Sequence, residues 1–242
     1  MRNPQAAVMS RPERRGFEKR ALKTVLGPAS IFLWIAAGFL GAGRWDWVRG
    51  WICVSVYLSM VAITGAAVRY FSPGLLKRRA QGIRGDTASF DKSFLPIYLP
   101  LTLLQPAVGG LDAVRYGWLP LPSSTILPGI ALFVVGMGLI AWAMVANPYA
   151  ESTVRIQPEI GHTVVTRGPY RAVRHPMYSG MMLMHLATGI ILGSGWAIVV
   201  AGVMAALIVW RTSREDEFLH RQLGGYAEYA ARTRFRLVPG LW

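Results

Sequence analysis

Cysteine is nearly missing from this chain, with Cys53 the single one. That excludes an intrachain disulfide, and because Cys53 sits within an apolar run it reads as a core residue rather than a chemical one. Charge is scarce too: charged residues make up 16% of the chain, against roughly a quarter in soluble domains. Acidic residues number 12 against 26 Lys and Arg, while 53% of the chain is hydrophobic. This balance excludes an ordinary soluble globular domain and leaves an integral membrane protein. The formal net charge of +14 would suit nucleic acid only if it gathered on one exposed folded face. Here the cations fall between apolar runs, so no nucleic-acid partner is expected. Low-complexity linkers and internal repeats are also absent.

What is present is a set of six apolar runs, at residues 25–43, 51–68, 94–111, 125–146, 177–192 and 196–210. About 20 helical residues cross a bilayer, and none of these runs contains Asp, Glu, Lys or Arg. The third carries Pro96, Pro100 and Pro106, which should kink the helix or push part of it into the interface. The last two are joined by Gly193, Ser194 and Gly195, a turn signal. The expected fold is all-α, a polytopic integral membrane helical bundle of about six transmembrane helices ending in a tight helical hairpin. Its expected divisions are a basic cytosolic tail (1–24), four transmembrane helices (25–146) and a functional core (147–242). With the N-terminus in the cytosol, all of the 26 Lys and Arg except Arg44, Arg49 and Arg115 fall on the cytosolic side. Both termini are then cytosolic, in the inner membrane if the source is bacterial. The first apolar run outlasts the ~7–15 residues of a signal-peptide core, so a retained first helix is expected.

The densest chemistry lies at residues 167–180, RGPYRAVRHPMYSG, and at residues 211–217, RTSREDE. A helix leaving Met177 climbs roughly 24 Å before the turn, and its partner descends by the same amount. Arg211 therefore returns to the depth of Met177. Glu215 follows at the level of Arg174 and His175, on the same helix face as Arg211. Pro176 suits a first helical turn, whose free N–H groups and positive dipole end attract an anion. Glu215 and Asp216 suit an ammonium group, and the rings of Tyr170 and Tyr178 suit a delocalised cation. One ligand combines a carboxylate, an ammonium and a sulfonium: S-adenosylmethionine.

Blander readings stand beside these. Arg167 and Arg171 read first as topology markers, and Glu215 reads equally as a functional carboxylate or as part of a solvated helix face. His185 shares a face with Tyr178 and is either a lining residue of an acceptor path or a hydrogen-bonded packing residue. Gly136, Met137 and Gly138 read as helix packing rather than a dinucleotide fingerprint. Met177, Met181, Met182 and Met184 read as core filling. Tyr229 and Trp242 read as headgroup anchors of the tail.

The strings GHTVVTRGPYRAVRHPMYSG, RTSREDEFL, LGGYAEY and RFRLVPGLW, in that order over about the last third of the chain, resemble the isoprenylcysteine carboxyl methyltransferase family and its phospholipid methyltransferase relatives. The resemblance implies an integral membrane enzyme that transfers a methyl group from S-adenosylmethionine. In such an enzyme His162, Thr163, Val164, Val165, Tyr170, His175, Pro176, Met177 and Tyr178 form the donor pocket with Glu215 and Asp216. Arg211 and Glu215 carry the transfer, and Arg211 meets the acceptor; His185 joins it as an acceptor-side candidate from its helix face alone. Two departures stand out: Asp216 replaces the second of the family's paired glutamates, and Gln157 is only an offset match for its upstream glutamine. The first 120 residues carry no motif of the family.

In-line methyl transfer asks the protein mainly for alignment, which can supply about 7 to 11 kcal/mol of the barrier. A carboxylate or thiolate acceptor needs no base. An amine or thiol does, with Glu215, Asp216 or His175 as candidates. The expected partners are the bilayer and a lipophilic or small acceptor (isoprenylcysteine-like carboxylate, phospholipid amine or thiol), with no obligate protein partner and no metal. Two alternatives stay open: an NADPH-dependent membrane reductase of the sterol reductase type, and a non-enzymatic small membrane protein.

Overall fold

Backbone polar groups in hydrocarbon must be satisfied within their own segment, so the apolar runs become helices. The computed structural model describes residues 29–242; the basic segment 1–24 and residues 25–28 of the first run lie outside the described residues. The helices are α1 (Ala29–Ala42), α2 (Val48–Phe71), the short α3 (Leu75–Arg79) and α4 (Ser89–Gly110). They continue with α5 (Ile126–Ala146), α6 (Pro176–Leu192), α7 (Gly195–Gln222) and α8 (Tyr226–Arg232). No strand occurs among the described residues, and this is a polytopic helical membrane protein. The segments containing α2, α4, α5 and α7 are long and apolar enough to cross a membrane, while α1 and α6 are shorter apolar helices.

The third span keeps its prolines within one helical segment. α4 runs unbroken through Pro96, Pro100 and Pro106 and continues as a π-helix over Leu111–Tyr116. Proline is tolerated there because α4 is packed against α6 and α7, and neighbouring helices can stabilise an interrupted ladder. Gln105, buried on α4, donates to the carbonyls of His185 (2.7 Å) and Ala197 (3.3 Å).

The hairpin turn is held from two sides. Arg49 donates to the carbonyls of Ile190 and Ile191, both at 2.8 Å, and so caps the C-terminal end of α6. Gly193 has a positive φ of 80°, and a Cβ there would lie 2.5 Å from the Arg49 guanidinium carbon. Asp112, fully buried, accepts from the Ser194 hydroxyl at 2.6 Å. Arg115 donates to the Leu40 carbonyl at 3.0 Å. Arg49 and Arg115 thus both bind backbone carbonyls near helix ends.

α5 and α6 make the most intimate contact of the bundle. A Cβ on Gly180 would sit 2.6 Å from the Gly136 carbonyl oxygen, and one on Gly136 would sit 2.9 Å from that of Gly180. Gly136 is therefore a packing glycine, whereas Gly138 has open space. Gly180→Leu is expected to force the helices apart, at about 1–3 kcal/mol or more of overpacking cost, and to lower the thermal midpoint in detergent. An unchanged midpoint would refute this close contact.

The core includes Phe39, Phe133, Ile191 and Cys53, buried among α1, α2, α5 and α6. After α8 the chain returns under the start of α6: Arg174 and His175 donate their N–H groups to the carbonyls of Phe235 and Arg236, each at 2.9 Å. The Ser179 hydroxyl donates to the Leu237 carbonyl at 2.6 Å.

Candidate functional site

α7 does not stop where its apolar run stops; it remains helical through residues 211–217. Arg211 and Glu215, one turn apart, line the same cleft at this end of the bundle. Asp216 is rotated about 100° further round and does not line it. The cleft encloses ≈ 770 Å³ of non-atom space, part of it open to solvent.

The Arg211 guanidinium makes a forked pair with Asp91, Nε to Oδ1 at 2.7 Å and Nη2 to Oδ2 at 3.1 Å. It also lies 4.9 Å from the ring centroid of Phe94 and 5.0 Å from that of Tyr178. The Tyr178 hydroxyl donates to Glu215. His175 places Nδ1 3.9 Å from Glu215 Oε1 and stacks parallel to Tyr178 with centroids 5.8 Å apart. The hairpin geometry read from residue counts and these contacts agree.

Asp216 is the centre of a buried network. Its carboxylate accepts from the Tyr226 hydroxyl at 2.8 Å and Arg236 Nε at 3.0 Å. It also lies 3.2 Å from both His175 Nε2 and Arg174 Nε. Tyr226, His175 and Arg174 line the cleft, so Asp216 supports that wall from behind.

The opposite wall comes from the segment between α5 and α6. His162, Thr163, Val164, Val165 and Tyr170 all line the cleft, as does Met177. The His162 ring faces that of Tyr149 at 4.3 Å, and its Nδ1 is buried with no hydrogen-bond partner. Burial, reinforced by the Arg155 charge, holds the His162 pKa below its ordinary value. A base with a depressed folded pKa is protonated more readily in the unfolded chain. Its contribution to stability is present above about pH 6.5 and is lost as the pH falls. The wild-type midpoint should therefore drop more steeply than that of His162→Gln between about pH 7 and 5; parallel profiles would contradict this.

Tyr170 accepts a hydrogen bond from Asn147 Nδ2 at 3.1 Å, and burial raises its phenol pKa. The Tyr229 hydroxyl donates to the Tyr170 carbonyl at 2.7 Å, and burial pushes that phenol up to about 12. Tyr229 is thus a buried cleft residue, not a headgroup anchor, because α8 folds under the bundle. Trp242 instead lies beneath the Arg236 guanidinium, 4.9 Å from its ring centroid.

Three expected site residues fall outside the cleft lining: Pro176, Asp216 and His185. Pro176 does open α6, but Tyr178 and Ser179 return their N–H groups to the His175 carbonyl at 3.0 and 3.4 Å. The helix end therefore offers fewer free donors to an anion than its sequence suggested. His185 has both ring nitrogens engaged, with the Tyr98 hydroxyl 2.6 Å from Nε2 and Gln105 Oε1 3.1 Å from Nδ1. Gln105 has already used its amide N–H groups on carbonyls. Its oxygen must accept from Nδ1–H, leaving Nε2 to accept from Tyr98. This is the packing role.

Other cleft residues escaped the motifs. Arg155, itself buried, makes an ion pair with Glu151 at 3.0 Å, another with Asp86 at 3.1 Å and a third with Glu159. Asn147 and Tyr149 line the cleft beside them. Gln157 is buried behind this wall, donating to the Tyr149 carbonyl at 2.8 Å. The four-residue spacing of Glu151, Arg155 and Glu159 was a readable signal, although it lies outside any α-helix.

A family model for phospholipid methyltransferase matches residues 124–225, which run from the start of α5 to that of α8. This segment is similar to that family. It contains most of the cleft's lining. Among curated proteins, the chain is 30% identical over 112 residues to protein-S-isoprenylcysteine O-methyltransferase B of Arabidopsis thaliana, covering 43% of this chain and 55% of that one. It is 31% identical over 112 residues to a probable protein-S-isoprenylcysteine O-methyltransferase of Oryza sativa subsp. indica, covering 43% and 56%. A second Arabidopsis relative, protein-S-isoprenylcysteine O-methyltransferase A, is 31% identical over 109 residues, covering 42% and 53%. The matches thus span about half the length of these relatives.

Proposed function

We propose that this protein is an integral membrane S-adenosylmethionine-dependent methyltransferase. The donor occupies the cleft, and a lipophilic or small acceptor arrives from the bilayer side at Arg211. One observation carries the reading. Among the described residues, Glu215 lines the cleft with no Lys or Arg at salt-bridge distance, whereas Glu151 is paired with Arg155. A carboxylate left in this state beside the aromatic rings of Tyr170 and Tyr178 suits a cationic ligand. The unpartnered Nδ1 of His162 adds a polar contact for a heterocycle on the far wall.

When bound, S-adenosylmethionine would supply an activated methyl group on sulfur. The chain's own task is then placement: Glu215 for the ammonium, Tyr170 and Tyr178 around the sulfonium, His162 to Val165 along the remaining length, and Arg211 toward the acceptor. Alignment and exclusion of water lower the barrier. For an amine or thiol acceptor, His175, whose Nδ1 lies 3.9 Å from Glu215 Oε1, and Glu215 itself are bases lining the cleft. The acceptor classes are an isoprenylcysteine, the group that the relatives' names carry, through its carboxylate, a phospholipid amine and a thiol. Residues 147–242 form the methyltransferase core in this reading, with both termini on the cytosolic side.

Calorimetric titration of the detergent-purified protein with S-adenosylhomocysteine tests the proposal. Saturable binding is expected. Absence of binding, together with thermal stabilisation by NADPH, would move the protein to the reductase alternative.

A further inference from the structure

Asp91 belongs to none of the motifs and lies on α4, outside the segment that matches the family. Its side chain is fully buried, and its oxygens do two things at once. They hold Arg211 through the forked pair at 2.7 and 3.1 Å, and Oδ2 accepts the Val154 N–H at 2.6 Å. The Ala88 N–H donates to the Val154 carbonyl at 2.9 Å, so the start of α4 grips residue 154 from both sides. Val154 and Arg211 both line the cleft. The pair with Asp91, and a longer contact from Nη2 to the Ser152 carbonyl, leave Arg211 Nη1 without a hydrogen-bond partner among the described residues.

Buried ion pairs are weak devices for stability, since an apolar replacement of similar volume often serves as well. A pair that also fixes a site wall has a different use. We infer that Asp91 is a positioning residue for methyl transfer, setting the direction of Arg211 toward the acceptor and holding the cleft wall at Val154. The inference rests on the methyltransferase reading. It places part of the acceptor side in the N-terminal half, where no motif points.

The test compares wild type, Asp91→Asn and Asp91→Glu for S-adenosylhomocysteine affinity, for hydrogen exchange at the Val154 amide, and for transfer of labelled methyl from S-adenosylmethionine to a solubilised total lipid extract. Asp91→Asn is expected to keep donor affinity within about threefold while transfer falls about 10²-fold, the scale of an ångström-sized misplacement. Asp91→Glu, which keeps the charge on a longer arm, should recover thermal stability more than transfer. In an Arg211→Met background, Asp91→Asn should cost little further transfer, as expected of residues acting as one unit.

Transfer near the wild-type level in Asp91→Asn overturns the inference. So does a parallel loss of midpoint, donor affinity and transfer in both variants, which is what a purely structural residue would give. If the wild type binds no S-adenosylhomocysteine, the methyltransferase reading fails; faster Val154 exchange in Asp91→Asn would still show that Asp91 holds the wall.

Discussion

Asp216→Ala is expected to lower the thermal midpoint in detergent by about 10 °C or more, corresponding to the 3–5 kcal/mol that follows when one partner of a buried ion pair is removed. The carboxylate is 2% exposed and Arg174 9%, so deletion strands a guanidinium that water cannot readily solvate. It also strands the Tyr226 hydroxyl and His175 Nε2. Arg236, at 33% exposure, is partly screened and adds less. Asp216→Asn keeps an acceptor for Tyr226 but no charge for Arg174 and should fall between wild type and alanine. Because Asp216 stands behind the cleft wall, donor affinity should fall with stability. A midpoint within about 2 °C of wild type would show that the network contributes little.

The neighbouring residue is expected to behave in the opposite way. Glu215→Ala should weaken S-adenosylhomocysteine binding about 10²-fold or more, the usual scale for truncating one member of a desolvated charge pair. It should leave the midpoint almost in place. Glu215 is at the cleft rim, with its side chain 17% exposed, and its hydrogen-bond partner is the Tyr178 hydroxyl. Glu215→Gln separates charge from shape: if an ammonium is the ligand group, glutamine should lose most of the affinity. Undiminished binding by Glu215→Ala would remove the donor site from this cleft. Two adjacent acidic residues, one acting on stability and one on binding, follow from their faces of α7.

That division was only half legible in the sequence. The spacing of Arg211 and Glu215 predicted a shared face once the helix continued past the membrane run. Asp216 was grouped with Glu215 because both are acidic and adjacent, yet a helix turns about 100° between neighbours. His185 was ambiguous for a related reason. Its position on the helix can be counted, but Tyr98 and Gln105, 87 and 80 positions earlier, cannot be paired with it from the chain. The three prolines of α4 are visible in the sequence, but the helices α6 and α7 that pack around them are not contained in local propensity.

Hydropathy and punctuation, which are properties of the chain itself, determined the membrane class, the order of apolar helices, the hairpin at Gly193 to Gly195 and the polar segments that meet beside it. These follow from backbone satisfaction in hydrocarbon and from glycine's freedom, both of which act locally. Tertiary structure alone decided that Arg211 is paired with Asp91, that Arg49 and Asp112 clamp the turn, that Tyr229 is a pillar of the cleft, and that Asp216 looks away from it. Each is a contact between residues distant in sequence or a choice of helix face. A buried charge is settled by whichever opposite charge or carbonyl the fold delivers to it, and the order of residues along the chain does not contain that partner.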